Sequence, residues 1–161
     1  MGRWEFATRT SASAAVAVVP VTSDRELILV EQFRIPVGKP VIEFPAGLVG
    51  DDGQAEDLAA AARRELEEET GYRAGAMTLA ESGPSSAGLA DEVVSIFLAR
   101  DLTAVSTGGG VDGEEIVVHV VPLAEIDAWL AAQQRRGCLV DNRVFAGLYL
   151  LARAERNETT G

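Results

Sequence analysis

Apolar residues run almost unbroken from Ser11 to Val21 (SASAAVAVVPV), and again from Glu26 to Phe33 (ELILVEQF) after the four polar residues Thr22 to Arg25. Short runs rich in Val, Ile and Leu on either side of a polar break predict two strands joined by a turn. Pro36 to Pro40 interrupts the pattern and Val41 to Phe44 briefly resumes it. The period then changes. From Ala55 to Thr70 the chain is built of Ala, Leu, Glu and Arg, strong helix formers that predict one helix. Gly71 stands where a helix would end in a left-handed residue. Leu58, Ala62 and Leu66 form a stripe for the core, while Glu65, Glu68 and Glu69, three and four positions apart, share another face. Strands are predicted again at Met77 to Glu81, Val93 to Ala99 and Glu115 to Val121, the last following a glycine-rich loop, Ser106 to Gly113. Helices over Ala124 to Gln134 and Asn142 to Arg156 close the pattern, the second with Asp141 as its N-cap. Strands interrupted by one central helix and followed by two more predict an α/β sandwich.

Composition narrows the options. The 161 residues, 47% hydrophobic and 24% charged, suit a single domain, 1–161, with a core of its own. Fourteen basic against 25 acidic residues give a net charge of -11, which argues against a general nucleic-acid binder. An anionic substrate stays open, because a bound cation inverts the local charge. Cys138, the one cysteine, excludes an internal disulfide framework and suits a reducing cytoplasm. No stretch is long and apolar enough for a membrane span, and the start MGRWEFATRT lacks a signal-peptide core, so a cytoplasmic location with no membrane partner is expected. His119, the sole histidine, lies between valines in an alternating strand and reads as a strand residue with a bonded ring rather than a catalytic base. Cys138 reads as a small packing residue.

The chemistry concentrates on the acidic helix. Three carboxylates crowded on one face repel one another. They form either a solvated acidic surface or a site for a hard divalent cation such as Mg²⁺, which takes carboxylate and phosphate oxygens. The wider spacing favours the cation. Residues 50–72 read Gly50, five residues, Glu56, seven residues, then Arg64-Glu65-Leu66, one residue, Glu68-Glu69, one residue, Gly71-Tyr72. This run resembles the Nudix box, the signature of hydrolases that split a diphosphate linked to another moiety. Outside it, Leu29 to Pro36 (LVEQFRIP), Ile42 to Gly47 (IEFPAG), Ser86 to Glu92 (SAGLADE) and Val111 to Val121 (VDGEEIVVHVV) resemble the ADP-ribose pyrophosphatase branch, so that the likeness covers roughly residues 4–150.

The resemblance implies a Nudix-type α/β/α sandwich with a mixed sheet. It also implies a site. Glu65 and Glu69 are expected as the main Mg²⁺ ligands (Mn²⁺ as a substitute), with Glu68 joining when more than one ion binds and Arg64 orienting the carboxylates. A backbone carbonyl just before the box glycine is expected to add a ligand. Here the sequence departs from the common form: Gly47, of the PAG segment, lies three residues before Gly50, which fits the spacing. The carbonyl is therefore that of Ala46 or of Val49, with Ala46 preferred. The general base maps onto Glu114, with Glu115 as the alternative. Arg34, Glu43, Gly88 and Glu92 are expected to contact substrate. Ala87 stands where the branch usually carries Pro. Trp4 and Phe6 either stack on a base or anchor the N-terminus. Residues 1–12 form an extension too short for the swapped N-terminal sheet of many such enzymes, and a homodimer with a simpler interface is expected. The implied reaction is hydrolysis of a nucleoside diphosphate sugar, ADP-ribose first, to AMP and ribose 5-phosphate. The alternatives are another nucleoside diphosphate derivative (a GDP-sugar, a dinucleotide or NADH) or a non-hydrolytic module that binds ADP-ribose.

Overall fold

The computed structural model describes residues 3–10, 12, 14–50, 56–110, 113 and 115–159. Along the chain come β1 (Ala14–Pro20), β2 (Glu26–Arg34), β3 (Lys39–Glu43), β4 (Ala46–Val49), α1 (Leu58–Thr70), β5 (Tyr72–Pro84), β6 (Val93–Ala104) and β7 (Ile116–Pro122). A 3-10 turn at Leu123–Glu125 leads into α2 (Ile126–Arg135), followed by β8 (Leu139–Val140) and α3 (Asn142–Glu158). The strands make two four-stranded sheets, ordered β4-β1-β6-β5 and β7-β2-β3-β8. Each is mixed: β1 runs parallel to β6 and antiparallel to β4, and β3 runs parallel to β8 and antiparallel to β2. The α/β expectation holds, with two mixed sheets in place of one. Pro20 ends β1 with no amide to donate, and past an isolated bridge between Val21 and Leu27 the chain enters the second sheet.

The unbroken apolar run of β1 has a simple cause: the strand is buried on both faces. Val16 and Val18 pack with Ala61, Ala62 and Leu66 of α1. Val19, on the opposite face, joins Ile42, Phe44, Leu98, Val144 and Leu151 in the core beneath α3. Each such Val, Leu or Ile, fully withdrawn from water, contributes about 1.5–3 kcal/mol before entropy is counted. Gly147 lets α3 come this close: a Cβ there would meet Phe44 Cε2 at 2.3 Å and Val19 Cγ2 at 2.7 Å.

The helix ends follow local chemistry. Asp57 Oδ1 accepts the amide hydrogens of Ala59 and Ala60, both at 2.9 Å, and so starts α1 at Leu58. The expected start at Ala55 lies outside the described residues. Gly71 ends α1 at φ 75°, and Asp141 caps α3 through the Arg143 amide at 2.7 Å, both as anticipated. The strands differ more. β5 and β6 extend well beyond their apolar centres, pairing Tyr72 with Ala104 and Ala74 with Leu102. That stretch is poor in β-formers, and β5 lies at the sheet edge with most residues exposed, so the backbone ladder rather than side-chain pattern sustains it. No helix among the described residues is long and apolar enough to cross a membrane.

Candidate active site

Antiparallel pairing of Ala46 with Ala17 and Gly47 with Val16 fastens β4 to β1, and α1 packs against both strands. This fixes the acidic face of α1 relative to the β4 backbone. The Ala46 amide donates to Glu69 Oε2 at 3.1 Å. Gly47 lies directly on Glu65: a Cβ there would stand 2.0 Å from the Glu65 carboxyl carbon. Both glutamates are withdrawn from water, Glu65 at 9% exposure and Glu69 at 5%. Glu68, between them in sequence, is half-buried. Gly50, just after β4, takes a left-handed φ of 71°.

Arg64 ties the carboxylates together. One terminal nitrogen donates to Glu65 Oε1 at 2.7 Å and to Glu68 Oε2 at 3.1 Å. The other donates to the Leu48 carbonyl and to Glu56 Oε2, each at 3.1 Å. The Glu56 hydrogen bond, backed by Glu65 and set against the opposing effect of burial, raises the arginine's already high pKa, so the guanidinium stays charged. Arg64, Glu65 and Glu68 of the box thus meet in space as the spacing anticipates, and Glu56 joins them.

The other end of α1 is closed by the glycine-rich loop. Gly109 and Gly110 donate to the carbonyls of Glu69 and Glu68 at 2.9 and 3.1 Å, filling acceptors that a helix leaves open at its C-terminus. Gly108 admits no side chain, since a Cβ would meet the Thr70 carbonyl carbon at 2.4 Å. The candidate base Glu114 lies farther along this loop, outside the described residues. Glu115 is exposed ahead of β7 and is not part of the cavity wall.

That wall encloses about 1370 Å³ and includes Arg34, Glu43, Ala46, Arg64, Glu65, Glu68, Glu69 and Glu92. Eight of the ten residues expected from the sequence therefore share one cavity. Gly88 sits in a turn away from it, and Glu114 lies outside the described residues. Trp4 and Phe6 are exposed and also away from the wall. Glu43, 4% exposed, is gripped from two sides, by Arg34 Nε at 2.5 Å and Arg143 Nη2 at 3.2 Å. Arg143 is held in turn by Asp141 at 2.6 and 3.0 Å. Burial pushes the Asp141 carboxyl up, yet hydrogen bonds from the Arg143 side chain and amide outweigh it and hold the group below the usual 3.8. The Arg9 guanidinium, against the effect of burial and with help from the Ser85 hydroxyl, holds the Glu92 carboxyl below its ordinary value.

Sequence reasoning missed Arg143 and Arg9. Arg143 follows the N-cap by two residues, and its role depends on Glu43, a hundred positions away, which no local pattern discloses. His119 and Cys138 behave as expected. Nε2 of His119 is 3.0 Å from Glu31 Oε2, its ring meets Trp129 edge-on at 5.0 Å, and Cys138 is buried in the core.

The carboxylate oxygens suit a hard divalent cation, and the Gly47 cradle keeps the Glu65 carboxylate against the backbone. Among the described residues no three His, Cys, Asp or Glu side chains converge closely enough to enclose an ion alone. An ion here would therefore draw on backbone oxygen and substrate phosphate as well.

The family model of the NUDIX domain matches residues 12–141. The chain belongs to the NUDIX family. Its NUDIX domain is 41% identical over 103 residues to an ADP-ribose pyrophosphatase of Bacillus subtilis (strain 168), a match covering 64% of this chain and 54% of that relative. The chain thus spans about half the length of that protein. It is 39% identical over 168 aligned positions to the ADP-sugar pyrophosphatase of Mus musculus, covering 89% of this chain and 71% of the relative. The crystal structure of an ADP compounds hydrolase superposes with a TM-score of 0.72 at 25% identity, covering 90% of this chain and 74% of that one.

Proposed function

We propose that this protein is a Mg²⁺-dependent hydrolase of nucleoside diphosphate sugars, with ADP-ribose as first substrate. The observation that carries the reading is the pair Glu65 and Glu69, one helical turn apart, buried, and pressed against the β4 backbone at Gly47 and Ala46. The names of two relatives, an ADP-ribose pyrophosphatase and an ADP-sugar pyrophosphatase, support the substrate class. Glu65 and Glu69 would hold the ion, Glu68 would join them, and the Ala46 carbonyl would add an oxygen (Val49 is the alternative, and Mn²⁺ a substitute ion). The ion, when bound, neutralises phosphate charge and lowers the pKa of water. Arg64 keeps Glu65 and Glu68 in register for that task. Glu114, or failing it Glu115, would accept the water's proton as its oxygen bonds to phosphorus. The bond from that phosphorus to the bridging oxygen then breaks, giving AMP and ribose 5-phosphate. Arg34 and Arg143, in exchanging part of their hold on Glu43, would meet the substrate's anionic oxygens, and Glu92 would contact the ribose or the adenine.

The same reading takes the chain as one domain, a homodimer and a cytoplasmic protein without nucleic-acid partners. Exposed Phe33 and Ile35 on and beyond β2 offer apolar area for a second copy, the buried thiol of Cys138 suits a reducing compartment, and the net charge of -11 disfavours nucleic acid. Light scattering of the purified protein tests the dimer. The decisive experiment is hydrolysis of a nucleotide-sugar panel with Mg²⁺, products separated by chromatography. AMP released fastest from ADP-ribose supports the reading, and a GDP-sugar, dinucleotide or NADH turned over faster replaces the substrate. Binding of ADP-ribose without turnover of any compound would make the chain a sensor module.

A further inference from the structure

Of the side chains on the cavity wall, one is aromatic among the described residues: Tyr149 of α3. The helix buries Val144, Gly147 and Leu151 against the sheets and turns Arg143, Ala146, Tyr149, Leu150 and Arg153 to the cavity, the three- and four-residue spacing of a second helical face. On that face Tyr149 stays 60% exposed. Ala146, one turn earlier, is too small to cover the ring. Arg153, one turn later, is drawn aside: Nη2 donates to the Ala80 carbonyl at 3.0 Å, and Nη1 lies 3.6 Å from Glu81. Close contact between Gly147 and Phe44 fixes the helix, and with it the ring's base, against the core.

We propose that Tyr149 is the platform on which the nucleobase of the substrate stacks, and so a specificity-determining residue. The inference rests on the diphosphate-hydrolase reading for its ligand class. A nucleobase is a planar π-surface with apolar faces, and an open aromatic ring in a cavity that also holds the acidic site matches it. The same wall also carries apolar groups, Val37, Leu139 and Val140 among them. Trp4 and Phe6, the aromatic residues that the sequence brings forward for this role, are away from the wall. Stacking is tolerant of base identity, so Tyr149 separates ligands with a base from ligands without one, and does not choose adenine over guanine.

The test is equilibrium binding of AMP, GMP and ribose 5-phosphate by calorimetry to the wild type, Tyr149→Phe and Tyr149→Ala, with thermal melts of all three proteins. The Ala variant should bind AMP and GMP about tenfold more weakly, the Phe variant within about twofold of wild type, and ribose 5-phosphate alike in all three. The platform is refuted if Tyr149→Ala binds AMP as wild type does, if it weakens AMP and ribose 5-phosphate equally, or if the wild type does not bind AMP. A wild type that binds AMP through Tyr149 yet hydrolyses no diphosphate overturns the hydrolase reading and leaves the platform standing.

Discussion

Two helices border the cavity, and they are held in different ways. Around α1, three glycines are pressed where a side chain would collide: Gly47 against Glu65, Gly71 against the Ser106 carbonyl, whose oxygen a Cβ would meet at 2.3 Å, and Gly108 against Thr70. Arg64 and two loop amides close the same helix from the side and from its end. Around α3 only the core side is so crowded, through Gly147, while Ala146 and Tyr149 on the cavity side are open. The region that carries the carboxylates therefore has little room to change, and the region opposite has a good deal. Such a division lets one fold keep a reaction while altering what it binds.

Breaking the rigid side should give the largest effects. Glu69→Gln keeps an oxygen to accept the Ala46 amide, so the fold should persist while kcat/KM for ADP-ribose falls about a hundredfold or more. Retention of a tenth of the activity would refute the assigned ligand. Gly47→Ala comes next. The added methyl meets a carboxylate at the end of a flexible chain, which can swing away, so activity should drop about 10- to 100-fold with the melting temperature nearly unchanged. Equal losses of both would mean that β4 itself had moved. Gly108→Ala, in contrast, drives a methyl into backbone at a positive φ and should cost about 2–3 kcal/mol in denaturant titrations. A shift under half a kcal/mol would show the loop seal to be soft.

The smallest effect belongs to α3. Asp141→Ala removes the cap and one hold on Arg143 and should cost about 1 kcal/mol at pH 7. Because the folded state lowers this carboxyl's pKa, its contribution is complete above the usual 3.8 and disappears as pH falls through the folded value. The gap between the two proteins, followed by denaturation at a series of pH values, should therefore narrow below about pH 4. A constant gap would mean that the aspartate's charge has no part in the stability.

What could be read from the chain beforehand follows the same division. Helix periodicity, the Asp141 cap, the Gly71 terminus and the cluster around Arg64 depend on residues within a few turns of one another, and these are found where local spacing placed them. Arg143 on Glu43, Arg9 on Glu92, and the loop glycines on α1 join distant segments, and no local pattern carries them. β4 and β8 escaped for a related reason: Ala46–Val49 and Leu139–Val140 are too short for a period of two to show, and only pairing with β1 and β3 makes them strands. Tyr149 stood in a helix of the right extent, but which side of that helix faces a cavity depends on the rest of the fold.

The seal over the end of α1 has a kinetic consequence. Gly109 and Gly110 belong to what looks, by composition, like the loosest stretch of the chain. Their amides nevertheless close on helix carbonyls, so they should exchange with deuterium only when the last turn of α1 opens. Loop and helix would then melt as a single cooperative unit. An insertion before Gly108 would loosen the turn that presents Glu68 and Glu69.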